Sequence, residues 1–422
     1  MRSAQSEVVR ARWVLPIAEP PVEDGFVEID NGRIVSVGPW TERGTLDRTV
    51  TNLGDAVLMP GLVNAHTHLE LSWMAGRVPP KSAMDEWIRE LMTVRRIGHE
   101  GGPEAISKAA VDAAIAMVES GTVLVGDISN TLITPGLIAA SGLRGVVFHE
   151  LIGFAATDPE RIVREAGHRL EEHRTLPLEL GVVAHAPYSV SADLIGAIAR
   201  APRTTPLAIH LGESAEEMEF IATGQGPIRR TLEHLGVWND AWPVPGCDPA
   251  EYVDRLGYLQ PGTLVVHGVH FGPAAIGRLK DRGAVLVSCP RSNRWVGSGA
   301  PPLAAYYRAG VPVAFGTDSL ASAPTLNLFD ELAEARRIAP EVPASLLVDS
   351  ATRRGAVALG LGAEYGTIEP GKRAALIAVR LRGPSGRFGE TDVPASAETS
   401  VEEYLVSGNV RAPQDVRLIR PR

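Results

Sequence analysis

The chain is poor in cysteine and in lysine, and it has no excess of positive charge. Cys247 and Cys289 are its two cysteines in 422 residues, and they show no metal-knuckle or redox spacing. A disulfide-built fold is excluded, and two reduced thiols in a cytoplasmic protein are expected. Acidic residues number 50 against 41 Lys and Arg, a formal charge of −9, which argues against a binder of nucleic-acid backbones. Lysine occurs at four positions, Lys81, Lys108, Lys280 and Lys372, and every other basic residue is Arg. No uncharged apolar run approaches the roughly 18 residues of a membrane helix. The apolar stretch from Trp13 to Ala18 is short and broken by Pro16, unlike a signal-peptide core. What is present is a globular composition, 45% hydrophobic, in a chain long enough to bury a large core. A small-molecule substrate, no nucleic-acid or membrane partner, and room for a homo-oligomer are the expectation.

The first sixty residues read as β structure. Val27 to Asp30 alternates, Asn31-Gly32 is a hairpin turn, and Arg33 to Val37 alternates again. The C-terminal part has the same texture, with a strand from Ala374 to Val379 and a Gly/Pro/Ser/Thr-rich loop over Gly383–Ser400. Between them lie eight short apolar runs: Met59–His68, Thr122–Asp127, Arg144–Leu151, Leu180–His185, Leu207–Gly212, Thr263–Gly268, Ala284–Cys289 and Val311–Asp318. Helical periodicity separates most of them, as in Pro103–Glu119 and Pro273–Arg282. This alternation predicts an α/β fold with a (β/α)8 TIM-like barrel over residues 59–354. Residues 1–58 and 355–422 are expected to form one composite β-sandwich. An insertion at about 224–249, rich in Gly, Pro and Trp, is expected to cap the site.

The chemistry-bearing residues fall at the ends of those runs. His66 and His68 are two apart on a strand, so both side chains point the same way. His185, His210, His267 and Asp318 close or follow later runs, where barrel active sites lie. Imidazoles with a carboxylate are a donor set suited to a divalent ion, Zn²⁺ or Fe²⁺, with one position left for water.

Taken in order, Pro60-Gly61-Leu62-Val63-Asn64-Ala65-His66-Thr67-His68, His210-Leu211-Gly212-Glu213, Val265-Val266-His267-Gly268, Ser288-Cys289-Pro290-Arg291-Ser292-Asn293 and Gly316-Thr317-Asp318-Ser319 resemble the amidohydrolase superfamily, in its purine- and cytosine-type deaminase branch. The resemblance implies one metal ion held by His66, His68, His210 and Asp318. It implies water activation by Asp318 with His267, and protonation of a ring nitrogen by Glu213. Binuclear relatives bridge two metals with a carboxylated Lys on the fourth strand. No Lys stands between Lys108 and Lys280, so a single metal is favoured.

Further substrate contacts are expected from His185, from Trp87 with Met84 as an aromatic wall, and from Glu70, His149, Arg291 and Asn293. Of the adjacent pair His149 and Glu150, only one can point inward, and His149 is taken. Gly224 to Pro227, Cys247 to Pro249 and the run Cys289 to Asn293 look most like aminodeoxyfutalosine deaminases of the bacterial menaquinone pathway. Relatives of that kind also accept adenosine and thioether analogues. The carboxylate of such a substrate would give Arg291, Arg229 or Arg230 something to bind. The alternatives are a guanine, pterin or triazine aminohydrolase or chlorohydrolase of the same branch, or a non-catalytic barrel.

Overall fold

The computed structural model describes residues 7–42, 49–382 and 400–419. The expected loop 383–399 lies outside the described residues. Contacts divide the chain into two units: Met1–Asn64 with Ile115–Leu124 and Asn327–Arg422, and Ala65–Ala114 with Val125–Leu326.

In the first unit, strands β1 (Glu7–Val14), β2 (Val22–Asp30), β3 (Arg33–Pro39), β4 (Val50–Asn52) and β5 (Ala56–Pro60) come from the N-terminal part. One seven-stranded sheet joins them to two strands from the other end of the chain, Leu376–Arg380 and Val416–Ile419. The β2–β3 hairpin turns at Asn31 and Gly32, both with positive φ, as a tight two-residue turn requires. Val9, Val14, Val27, Ile29, Leu58 and Leu376 fill the apolar core of this sheet. Burying each such side chain contributes about 1.5–3 kcal/mol.

Eight parallel strands alternate with helices. Strands β6 (Leu62–Thr67), β7 (Thr122–Ser129), β8 (Arg144–Leu151) and β9 (Glu179–Ala184) form one four-stranded sheet. Strands β10 (Ala208–Leu211), β11 (Leu264–His267), β12 (Val285–Ser288) and β13 (Val313–Phe315) form another. Backbone contacts join the two sheets at both edges. The His210 N–H donates to the His185 carbonyl at 2.9 Å, and Thr67 bridges Asp318. The helix Pro273–Arg282 stands as predicted, and Gly102–Glu119 begins one residue early.

The first apolar run, expected as one strand over Met59–His68, is two strands split at Gly61. Its first half pairs in the seven-stranded sheet, and its second half opens the parallel set. A β-carbon at Gly61 would stand 2.2 Å from Val123, so only glycine passes this point. Residues 224–248 are not a plain loop. They carry the helix Pro227–His234, followed by Trp238 and Trp242, which pack with Phe154 and Phe220. Among the described residues, no helix is long and apolar enough to cross a membrane.

Candidate active site

The end of β6 and the chain just beyond it carry His66 and His68. His210 lies on β10, and Asp318 follows β13. Strand alternation turns the two β6 imidazoles to one side, and closely packed backbones bring the remote groups to them. The Thr317 and Asp318 N–H groups donate to the His66 carbonyl at 3.0 and 3.1 Å. A β-carbon at Gly316 would lie 2.7 Å from that carbonyl oxygen, so this approach requires glycine.

Three ring nitrogens converge. His68 Nε2 lies 3.2 Å from His66 Nε2 and 3.3 Å from His210 Nε2. Asp318 Oδ1 stands 3.8 Å from His66 Nε2 and 3.4 Å from His68 Nε2. Burial holds His66 and His210 well below the ordinary histidine range, with neighbouring imidazoles adding to it, so both are neutral. His210 Nδ1 faces the His185 carbonyl at 3.0 Å and the Glu150 carboxylate at 3.4 Å. That nitrogen therefore carries the ring proton, and the lone pair on Nε2 is turned to the cluster. Lone pairs crowded around a carboxylate oxygen repel one another without a cation, so the donor set fits one divalent ion.

Asp318 is braced from behind. Its Oδ2 accepts from Ser292 Oγ at 2.5 Å and from Ser322 Oγ at 2.7 Å. Burial works against its charge, but His68, His267, His66 and the Ser292 hydrogen bond outweigh it and hold the carboxyl at about 2. His267 and Asp318 both have positive φ at strand ends. Such strain costs about 1–3 kcal/mol per residue and collects at functional sites.

Glu213 is buried, with Oε1 3.5 Å from His267 Nε2. Burial, reinforced by the Asp318 charge, raises its carboxyl well above the usual range and so favours its protonated form. Glu217 positions it, taking the Gly212 and Glu213 N–H groups at 3.0 and 2.9 Å while its own N–H is capped by Ser214 Oγ. This brace is absent from the expected site residues. Its signal is the capping-box spacing of Ser214 and Glu217. On the far side, His267 Nδ1 meets Asn293 Oδ1 at 2.8 Å, which leaves Nε2 toward Glu213.

Four of the outlying positions already have partners within the protein. Glu150, not His149, lies against His210. Both nitrogens of His149 are engaged, by the Ser129 carbonyl at 3.1 Å and by Arg169 at 3.3 Å. Glu70 is engaged within the protein. Its carboxylate takes Ser129 Oγ, the Asn130 and Thr131 N–H groups and Thr131 Oγ1, fastening the chain after β7. Arg291 is held by Thr325 Oγ1 at 3.0 Å. Asn293 spends its oxygen on His267, although its Nδ2 is buried without an acceptor.

His185 stacks obliquely on His210 at 4.8 Å and bonds Ser189 Oγ at 2.6 Å. Burial first, and then the Arg95 charge, lower it to about 4. Trp87 is buried with Met84, Trp73 and Met74, and its indole N–H has no acceptor among the described residues. Arg229 is taken by Glu233 and by the face of Trp238.

A family model described as "Amidohydrolase family" matches residues 57–412, and the chain belongs to that family. It is an enzyme, a hydrolytic deaminase of the TIM-barrel type. It is similar to a 5-methylthioadenosine/S-adenosylhomocysteine deaminase of Moorella thermoacetica, 31% identical over 395 residues, covering 88% of this chain and 85% of the relative. It is similar to an aminodeoxyfutalosine deaminase of Deinococcus radiodurans, 32% identical over 326 residues, covering 72% of this chain and 74% of the relative. A solved adenosine deaminase from Xanthomonas campestris with bound zinc superposes with a TM-score of 0.75 and 27% identity, covering 98% of this chain and 90% of that one. Family membership and that zinc-bound neighbour imply a divalent metal for this chain.

Proposed function

We propose that this deaminase acts on adenine-type nucleosides, with aminodeoxyfutalosine of menaquinone biosynthesis as its leading substrate and adenosine or thioether analogues accepted beside it. The observation that carries the reading is the pairing of a buried Glu213, its carboxyl raised by burial, with His267 at the rim of the three-histidine, one-aspartate cluster. His66, His68, His210 and Asp318 would hold one ion, Zn²⁺ in preference to Fe²⁺. Such an ion supplies a water acidic enough to lose a proton near pH 7. The Asp318 carboxylate, with His267 Nε2 beside it, would accept that one proton. Glu213 gives its own to the ring nitrogen next to the amino-bearing carbon. The proton taken from water would pass to the leaving amine as the C–N bond breaks, giving ammonia, and the added hydroxyl would return a proton to Glu213 as it becomes the carbonyl. The relatives' substrates support the adenine ring, and the buried N–H of Trp87 and the imidazole of His185 are the side chains we assign to hold it.

The eight parallel strands are read as a (β/α)8 barrel over residues 59–354, with the 224–249 insertion as its cap. The segments 1–58 and 355–422 are read as a small β-sandwich. Zinc-loaded protein is to be assayed for ammonia release from aminodeoxyfutalosine, 5′-methylthioadenosine and adenosine. Turnover of at least one is expected, and silence on all three would sink the reading.

A further inference from the structure

A groove of about 520 Å³ runs between the helix Met84–Ile97 and the helix Pro227–His234. It is lined by Arg89, Met92 and Arg96 from the first helix and by Arg230, His234 and Leu235 from the second. Arg89 is neutralised by Asp85 at 3.0 Å, and that carboxylate also lines the groove. Arg96 and Arg230 have no hydrogen bond or ion pair among the described residues, and the same holds for Arg95 beside Arg96. In a chain of net charge −9, two guanidiniums without a carboxylate partner thus line one groove. Guanidinium is weakly hydrated and presents a planar fork matched to a carboxylate.

The same helix reaches the catalytic cluster. Its buried side carries Met84 and Trp87, and its last turn carries Arg95. The Arg95 charge acts on His185 and Glu150, the two groups that flank His210. The helix thus carries Trp87 on its buried side and Met92 and Arg96 on the side that lines the groove. Met92 and Leu235, 43% and 51% exposed, supply an apolar lining suited to an aryl or alkyl linker.

We propose that Arg96 and Arg230 form an anion subsite that receives a carboxylate at the end of a nucleoside's 5′ substituent, with Met92 and Leu235 flanking the linker. This rests on the reading of the enzyme as an adenine-nucleoside deaminase. It assigns substrate preference to this groove rather than to Arg291 or Arg229, which already have partners.

Three probes test it on zinc-loaded protein: aminodeoxyfutalosine, its carboxylate methyl ester, and adenosine. Wild type is expected to favour the acid over the ester, and added salt to shrink that preference. Arg96→Ala with Arg230→Ala should raise KM for the acid roughly tenfold or more while kcat holds. The same double variant should leave the ester and adenosine within about twofold. A parallel loss on all three probes, or no loss on the acid, overturns the subsite while adenosine turnover keeps the deaminase reading standing. Silence of wild type on every probe removes both.

Discussion

The inner cluster and the outer helical groove of the same unit are built on opposite principles. In the cluster nearly every functional group has a second partner behind it. His210 leans on the His185 carbonyl, His267 on Asn293, Asp318 on Ser292 and Ser322, and Glu213 on the clamp of Glu217. In the groove, Arg96 and Arg230 have no hydrogen bond or ion pair among the described residues. Groups that move protons must be held to a fraction of an ångström, so their second bonds are occupied before any substrate arrives. Groups that recognise a substrate's far end keep their bonds for it.

The sharpest way to break this contrast is to remove the cluster's carboxylate. Asp318→Asn should abolish ammonia release, about 10⁴-fold or more, and deplete the metal found by elemental analysis. Full activity with metal retained would mean Asp318 belongs to the scaffold. Glu213→Gln should lower kcat by about 10²–10⁴-fold with metal content intact. The sign of its pH dependence follows from the raised carboxyl. The acid form must be present to donate, so wild-type kcat/KM should hold below the Glu213 pKa and fall as pH rises through it. The glutamine variant should lose that alkaline limb. Loss of metal on this substitution would instead make Glu213 a ligand.

Asn293→Leu removes the partner of His267 Nδ1. A drop in kcat of about 10–100-fold with little change in KM is expected, and Asn293→Asp, which still accepts from Nδ1–H, should restore part of it. Equal losses in the two variants, with lowered melting temperature, would reduce Asn293 to packing. The smallest effect is expected from Glu217→Ala, which strands the buried Gly212 and Glu213 N–H groups. It should cost about 1–3 kcal/mol in chemical denaturation and only a few-fold in kcat. A kcat loss as large as that of Glu213→Gln would move Glu217 into the machinery.

The metal-type donors were legible because two regularities coincide. Strand alternation puts His66 and His68 on one face, and parallel strands end their chemistry at one edge, which collects His210, His267 and Asp318. Which member of His149–Glu150 faces the site was not legible. Both are buried, and the choice hangs on the β8 register and on Arg169, twenty residues beyond His149. Glu70 was equally opaque, since its four hydrogen bonds come from residues 59 to 61 positions away. The break at Gly61 is decided by Val123, a contact that no run of apolar letters contains.

The order and spacing of residues alone therefore determined the α/β alternation and the placing of histidines and a carboxylate at strand ends, and the resemblance those motifs carry implied the single-metal donor set and the acid at Glu213. Those depend on local periodicity and on the chemistry of side-chain types, which the order of residues carries directly. Tertiary structure alone decided which carboxylate braces His210, that Asn293 serves His267, and which arginines stand uncompensated. Each of these is settled by a neighbour from another element. Distances of a few ångströms between remote segments, not the residues' identities, set whether a group is spent on the protein or left for the substrate.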